Sequence, residues 1–103
     1  MKKNAREAST LLGAMANEKR LMILCLLVEG ELSVSELAES LDTRQSTVSQ
    51  HLALLRKDGF VTSRRDAQTQ FYSLSGDETR SILQTLHGLY CMPRRQNGAR
   101  GRS

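Results

Sequence analysis

The 103-residue chain has no tryptophan and only two phenylalanines and two tyrosines, so its core must rest on Leu, Ile, Val, Met and Ala. Its longest apolar run, Leu21 to Val28, is far too short to cross a bilayer. The first residues show no basic start followed by an apolar stretch and a cleavage site, so no signal peptide is expected and the cytoplasm is the expected compartment. There are two cysteines, Cys25 and Cys91. In a reducing compartment such a pair argues against a structural disulfide and leaves packing, metal ligation or redox sensing open. Cys-x-x-Cys, a glycine-rich phosphate loop and paired catalytic carboxylates are all missing, and His51 and His87 have no evident nucleophile beside them. Neither an enzyme nor a cofactor is expected.

Acid is missing from one end. The net charge is +4, but the tail "RRQNGARGRS" holds four of the fifteen bases and no acid. The body, residues 1–93, is therefore neutral, with eleven bases against eleven acids. It reads as a single domain, and residues 94–103 read as a basic, disordered tail. Within the body charge is segregated: Glu29 to Asp42 carries five acids and no base, whereas Arg44 to Arg65 carries five bases and one acid. A DNA backbone responds to such a local stripe more than to the total.

Periodicity gives the order of elements. Ala8, Leu11, Leu12 and Met15 form a helical stripe, predicting a first helix over about residues 5–14. Asn17 is a candidate cap for a second, with Leu21, Leu24, Cys25 and Val28 on one face and Gly30 beyond its end. That helix is apolar nearly all round, which predicts a central place in the core. Ser33 and Glu36 have capping-box spacing and open a short helix to about Leu41. Asp42–Thr43 makes a turn, and Thr43 is expected to cap a helix over residues 44–57 that Gly59 ends. Two helices joined so tightly form a helix-turn-helix. "FVTSRRDAQTQFYSL" reads as a β-hairpin, although its turn lacks glycine. Ser75 and Glu78 repeat the capping-box spacing, and a last helix runs through Leu89 and Tyr90 to a stop at the single proline, Pro93. The fold class is mainly α with a small β-hairpin, a winged helix-turn-helix with an extra helix at each end.

With Val48, Leu52 and Leu55 inward, the outer face of the second helix of the pair carries Ser46, Ser49, Gln50 and Ala53, with Gln45 in its first turn. Gln pairs bidentately with adenine, Ser bonds several bases or phosphates, and small residues let a helix approach the groove closely. A solvated surface face is the plain alternative. Arg44 and Arg56 flank that face and Arg64 and Arg65 stand near the hairpin tip, a placement suited to DNA phosphates. The same arginines also suit an edge strand that resists aggregation. His51 lies toward the core side and is expected to pack or to touch a phosphate rather than to bind metal.

The stretches "LLGAMANEKRLMILCLL", "ELSVSELAESL", "STVSQHLALLRKDGFV" and "RRDAQTQFYSL" together resemble the ArsR (arsenic-repressor) family of small bacterial transcription regulators over roughly residues 8–92. The resemblance implies a homodimer held by the first and last helices. It also implies binding to a palindromic, double-stranded operator, with repression until an inducer acts. The family's base-reading positions fall on Gln45, Ser46, Ser49 and Gln50. Where arsenic- and cadmium-responsive members carry a Cys-Val-Cys pair, this chain has Ser33 and Ser35, poor ligands for soft metals. The last helix also lacks the Asp and His pattern of zinc-responsive members, so no metal site is expected.

Cys25 and Cys91, with "AMANEKRLMILCLL" and "LYC", look like the persulfide-responsive dithiol branch of the family and its relatives among virulence regulators. That likeness implies that a reactive sulfur species or another oxidant joins Cys25 to Cys91 and lowers DNA affinity. Three alternatives stay open. Cys25 on an apolar helix suits simple packing. His87 and Cys91, four apart, suit zinc with a further ligand. A non-inducible anti-repressor would need neither thiol.

Overall fold

The computed structural model describes residues 2–90, with side chains described from Asn4 onward. Cys91, Pro93 and the basic tail lie outside the described residues. In chain order the elements are α1 (Lys2–Met15), α2 (Glu18–Leu27), β1 (Leu32–Ser33), α3 (Val34–Leu41), α4 (Gln45–Lys57), β2 (Val61–Asp66), β3 (Thr69–Leu74) and α5 (Asp77–Leu89). This is the expected order of helices and hairpin, with one short strand added.

The core forms where α2 is enclosed by α1, α3, α4, α5 and β3. Ile23, Leu24 and Leu27 of α2 are almost wholly removed from water, as are Leu37 of α3, Leu52 and Leu55 of α4 and Leu83 of α5. The all-round apolarity of α2 thus has the expected cause, although Met22 is 40% exposed. On α1 the predicted stripe is corrected. Leu11, Ala14 and Met15 face the core, whereas Ala8 and Leu12 are exposed, because α1 packs on the body along one narrow side.

Caps explain where the helices begin. Asn17 accepts from the Arg20 N–H at 3.0 Å and opens α2. At α3 both halves of the capping box form: the Glu36 N–H donates to Ser33 Oγ at 3.1 Å, and the Ser33 N–H donates to Glu36 Oε1 at 2.9 Å. Two other predicted caps are corrected. Thr43 does not cap α4. Its N–H donates to the Ala38 carbonyl at 3.0 Å and its hydroxyl to the Leu41 carbonyl at 3.3 Å, so it closes α3, and Arg44 is the N-cap residue of α4 without a side-chain bond. Ser75 does not cap α5 either. Its N–H donates to the Phe60 carbonyl at 3.0 Å, which keeps it with the sheet, and Gly76 at φ 95° occupies the N-cap.

The sheet has the order β1-β3-β2, all antiparallel. Val61 faces Leu74 at the root of the β2–β3 hairpin and Asp66 faces Thr69 at its tip. The tip turns without glycine because Ala67 takes φ 59°, a region that a Cβ disfavours. On its other edge β3 pairs with β1, Leu32 opposite Tyr72 and Ser33 opposite Phe71, which ties the hairpin to the start of the helix-turn-helix. The result is a winged helix-turn-helix.

Candidate DNA interface

The turn between α3 and α4 is short and well fastened. Asp42, at φ 52°, ends α3 in the left-handed region, and Thr43 then bonds back to α3 as above. From this fixed start α4 runs with Val48, Leu52 and Leu55 buried. That places Gln45, Ser46, Ser49 and Gln50 on solvent, all four exposed, on one continuous outer face. No acid stands in its first turn and Arg56 and Lys57 stand in its last. Arg44 and Arg56 are exposed at its two ends. The face therefore presents small polar side chains between cations, an arrangement able to enter a major groove and to hold the phosphates around it.

The wing treats its two arginines differently. Arg65 is exposed and, among the described residues, makes no ion pair. Arg64 is held. Its Nε lies 2.9 and 2.8 Å from Glu31 Oε1 and Oε2, its Nη2 lies 2.8 Å from Oε2, and its guanidinium stacks 5.0 Å from the Phe71 ring centre. The hydrogen bond to Glu31 and that carboxylate's charge push the Arg64 pKa further up. Glu31 carries no local sequence signal of this role. It lies 33 residues from Arg64, and no local pattern announces a contact at that distance.

His51 is half-buried with its Nδ1 shielded from water and without a hydrogen-bond partner. Burial, then the charges of Arg20 and Lys19, lower its pKa, so its neutral form is favoured. This agrees with a packing role on the core side of α4. Of the two cysteines, Cys25 is 6% exposed on α2 and is disulfide-bonded; Cys91 lies outside the described residues. Near Cys25, His87 Nε2 of α5 lies 3.1 Å from Glu29 Oε2, both groups mostly shielded, joining the last turn of α5 to the chain just past α2. His87, a candidate zinc ligand by spacing, is thus engaged by a carboxylate. No group of three metal-ligating side chains occurs among the described residues. No helix among them is long and apolar enough to cross a membrane.

Comparison with known proteins agrees with this geometry. Residues 17–63, from the cap of α2 into β2, match the family described as "Bacterial regulatory protein, arsR family". The chain is 55% identical over 91 residues to the transcriptional activator HlyU of Vibrio cholerae, covering 88% of this chain and 84% of that protein. It is 43% identical over 93 residues to the biofilm growth-associated repressor of Agrobacterium fabrum, covering 90% and 80%. Among solved structures, reduced HlyU from Vibrio cholerae superposes with a TM-score of 0.84 at 54% identity, over 89% of this chain and 97% of that one. The exposed face of α4, the wing beside it and these likenesses have one explanation: the chain belongs to the ArsR family of winged-helix, DNA-binding transcription regulators.

Proposed function

We propose that the protein is a homodimeric, cytoplasmic repressor that holds a palindromic operator until reactive sulfur or another oxidant joins Cys25 to Cys91. The observation that carries this reading is the setting of Cys25. It is buried on α2, is disulfide-bonded, and stands one helical turn before Glu29, the residue that contacts His87. Cys91 follows His87 by one further turn's worth of chain. The likeness to a protein whose structure is described as reduced HlyU supports a thiol chemistry. Leu12 on α1 and Leu89 and Tyr90 at the end of α5 are large apolar side chains left exposed, and a dimer through those helices would cover them.

The chemistry balances without a cofactor. One protein thiolate takes the sulfane sulfur of a persulfide and releases the donor as a thiol. The second thiolate attacks the inner sulfur of the protein persulfide, which forms the bridge and expels hydrosulfide. A second sulfur transferred before that attack leaves an extra sulfur in the bridge. Tightening α5 against α2 would re-aim the two α4 helices of the dimer, and half-sites about 34 Å apart tolerate little change. On DNA, Gln45, Ser46, Ser49 and Gln50 read bases while Arg44, Arg56 and, on the wing, chiefly Arg65 hold phosphates, with Arg64 engaged by Glu31.

The test is intact mass spectrometry with peptide mapping of the reduced protein before and after a persulfide donor, and separately after hydrogen peroxide. The expected product is a Cys25–Cys91 link within one protomer, carrying added sulfur only after the persulfide. If neither reagent links the two thiols, the bridging mechanism is wrong.

A further inference from the structure

With Val48, Leu52 and Leu55 buried, the outer face of α4 has two flanks. One carries Gln45, Ser49 and Arg56, and the other carries Arg44, Thr47 and His51. A helix seated in the major groove lies between the two sugar-phosphate strands, so each flank faces one of them. On the flank of His51 the neighbouring element is the N-terminal turn of α2. There the exposed Lys19 donates from Nζ to Thr43 Oγ1 at 2.7 Å.

The Thr43 hydroxyl is itself fixed. It donates to the Leu41 carbonyl, and its own N–H donates to the Ala38 carbonyl, so its lone pairs are turned toward Lys19. The ammonium is thereby tethered to the turn that launches α4. One of its three donors is used and two remain. Lys19 has no carboxylate partner among the described residues. The charge of Lys19 also helps to lower the His51 pKa, after burial and Arg20, as a cation beside α4 would. Its neighbour Arg20 is committed elsewhere, because its Nε donates to the Ala14 carbonyl at 3.1 Å to join α2 to α1. Glu39 and Asp42 line a hollow with Thr43, Arg44 and Gln45, so the turn holds acids as well as Arg44, and Lys19 adds a second cation to it.

We infer that Lys19, held by Thr43, is a DNA-phosphate contact on the flank of α4 opposite Arg56, supplied by an element outside both the helix-turn-helix and the wing. This rests on the DNA-binding reading and adds a residue to it. The ligand is the backbone phosphate of duplex DNA. The tether to Thr43 means that little rotamer freedom is left to lose on binding, which favours affinity without reading sequence.

The experiment uses the full chain and a fluorescent duplex selected by the wild-type protein from a random-sequence pool. Anisotropy titrations run from roughly 50 to 200 mM salt. Lys19→Gln is expected to lower the log–log salt slope by about 0.9 per protomer and to weaken binding about eightfold per protomer near 0.1 M salt. Lys19→Arg restores the slope. Thr43→Val keeps the charge and the slope but loses the tether, and its affinity falls between those of wild type and Lys19→Gln. A slope unchanged by Lys19→Gln, in protein that still melts cooperatively and binds the duplex, overturns the inference. Failure of the wild-type protein to bind any duplex is a different result and contradicts the DNA-binding reading itself.

Discussion

Replacing Ser33 by alanine separates a structural role from a chemical one at a position where some relatives carry a metal-binding thiol. Ser33 is 6% exposed and accepts the Glu36 N–H at 3.1 Å, while its own N–H reaches Glu36 Oε1 at 2.9 Å. Ser33→Ala removes the first of these bonds and leaves a backbone donor of α3 without its partner in a nearly dry place. Such a loss costs about 1 kcal/mol, within a range of roughly 0.5–2 kcal/mol. In a domain of this size that lowers Tm by roughly 4–8 °C. The control is Ser35→Ala, two residues on and exposed, which should change stability by less than about 0.5 kcal/mol. Urea and thermal melts should be run at one protein concentration, since the proposed dimerisation would make apparent stability depend on it. If Ser33→Ala and Ser35→Ala melt together, the capping box does not hold the start of the helix-turn-helix, and the reasoning that positions α4 through α3 fails.

Three further predictions follow from the site. Because Arg64 is bound by Glu31 while Arg65 makes no ion pair among the described residues, Arg65→Ala should reduce DNA affinity and the salt slope more than Arg64→Ala does, and the reverse order would contradict this. Gln50→Ala should relax preference at one operator position by about 1–3 kcal/mol, read by selection from a random pool, with little change in the salt slope. The His51 pKa is lowered in the fold, so the unfolded state takes up its proton first as pH falls. Its contribution to stability is intact above about 6.5 and is lost as pH drops from there through the folded value. Urea midpoints at neutral and mildly acidic pH should therefore fall less in His51→Gln than in wild type, and equal falls would contradict this.

Much of the fold was legible because its signals are local. The Ser33–Glu36 box, the Asn17 cap and the inward stripe of α4 each lie within one or two turns of chain, and each forms as expected. Ser75–Glu78 has the same spacing as the working box and fails, since a distant partner, the Phe60 carbonyl, holds the Ser75 backbone in the sheet. Thr43 fails as a cap for a related reason, being drawn back onto α3. The strand β1 could not be foreseen, because two residues carry no periodic signal and exist as a strand only through pairing with β3. The exposed face of α4 could be read from a helical wheel, but the commitment of Arg64 to Glu31 and the Lys19–Thr43 bond join residues far apart in sequence. Leu12 is expected inside from the α1 stripe and is exposed, because α1 packs along one narrow side only.

The most direct test of the regulatory account is the affinity of the reduced protein for its selected duplex before and after a persulfide donor, in wild type and in Cys91→Ser. Persulfide should release wild-type protein from DNA, and reductant should restore binding. Cys91→Ser should bind equally well before and after treatment. If wild-type affinity does not change once the bridge is present by mass, or if Cys91→Ser is released just as readily, the two thiols do not govern DNA binding.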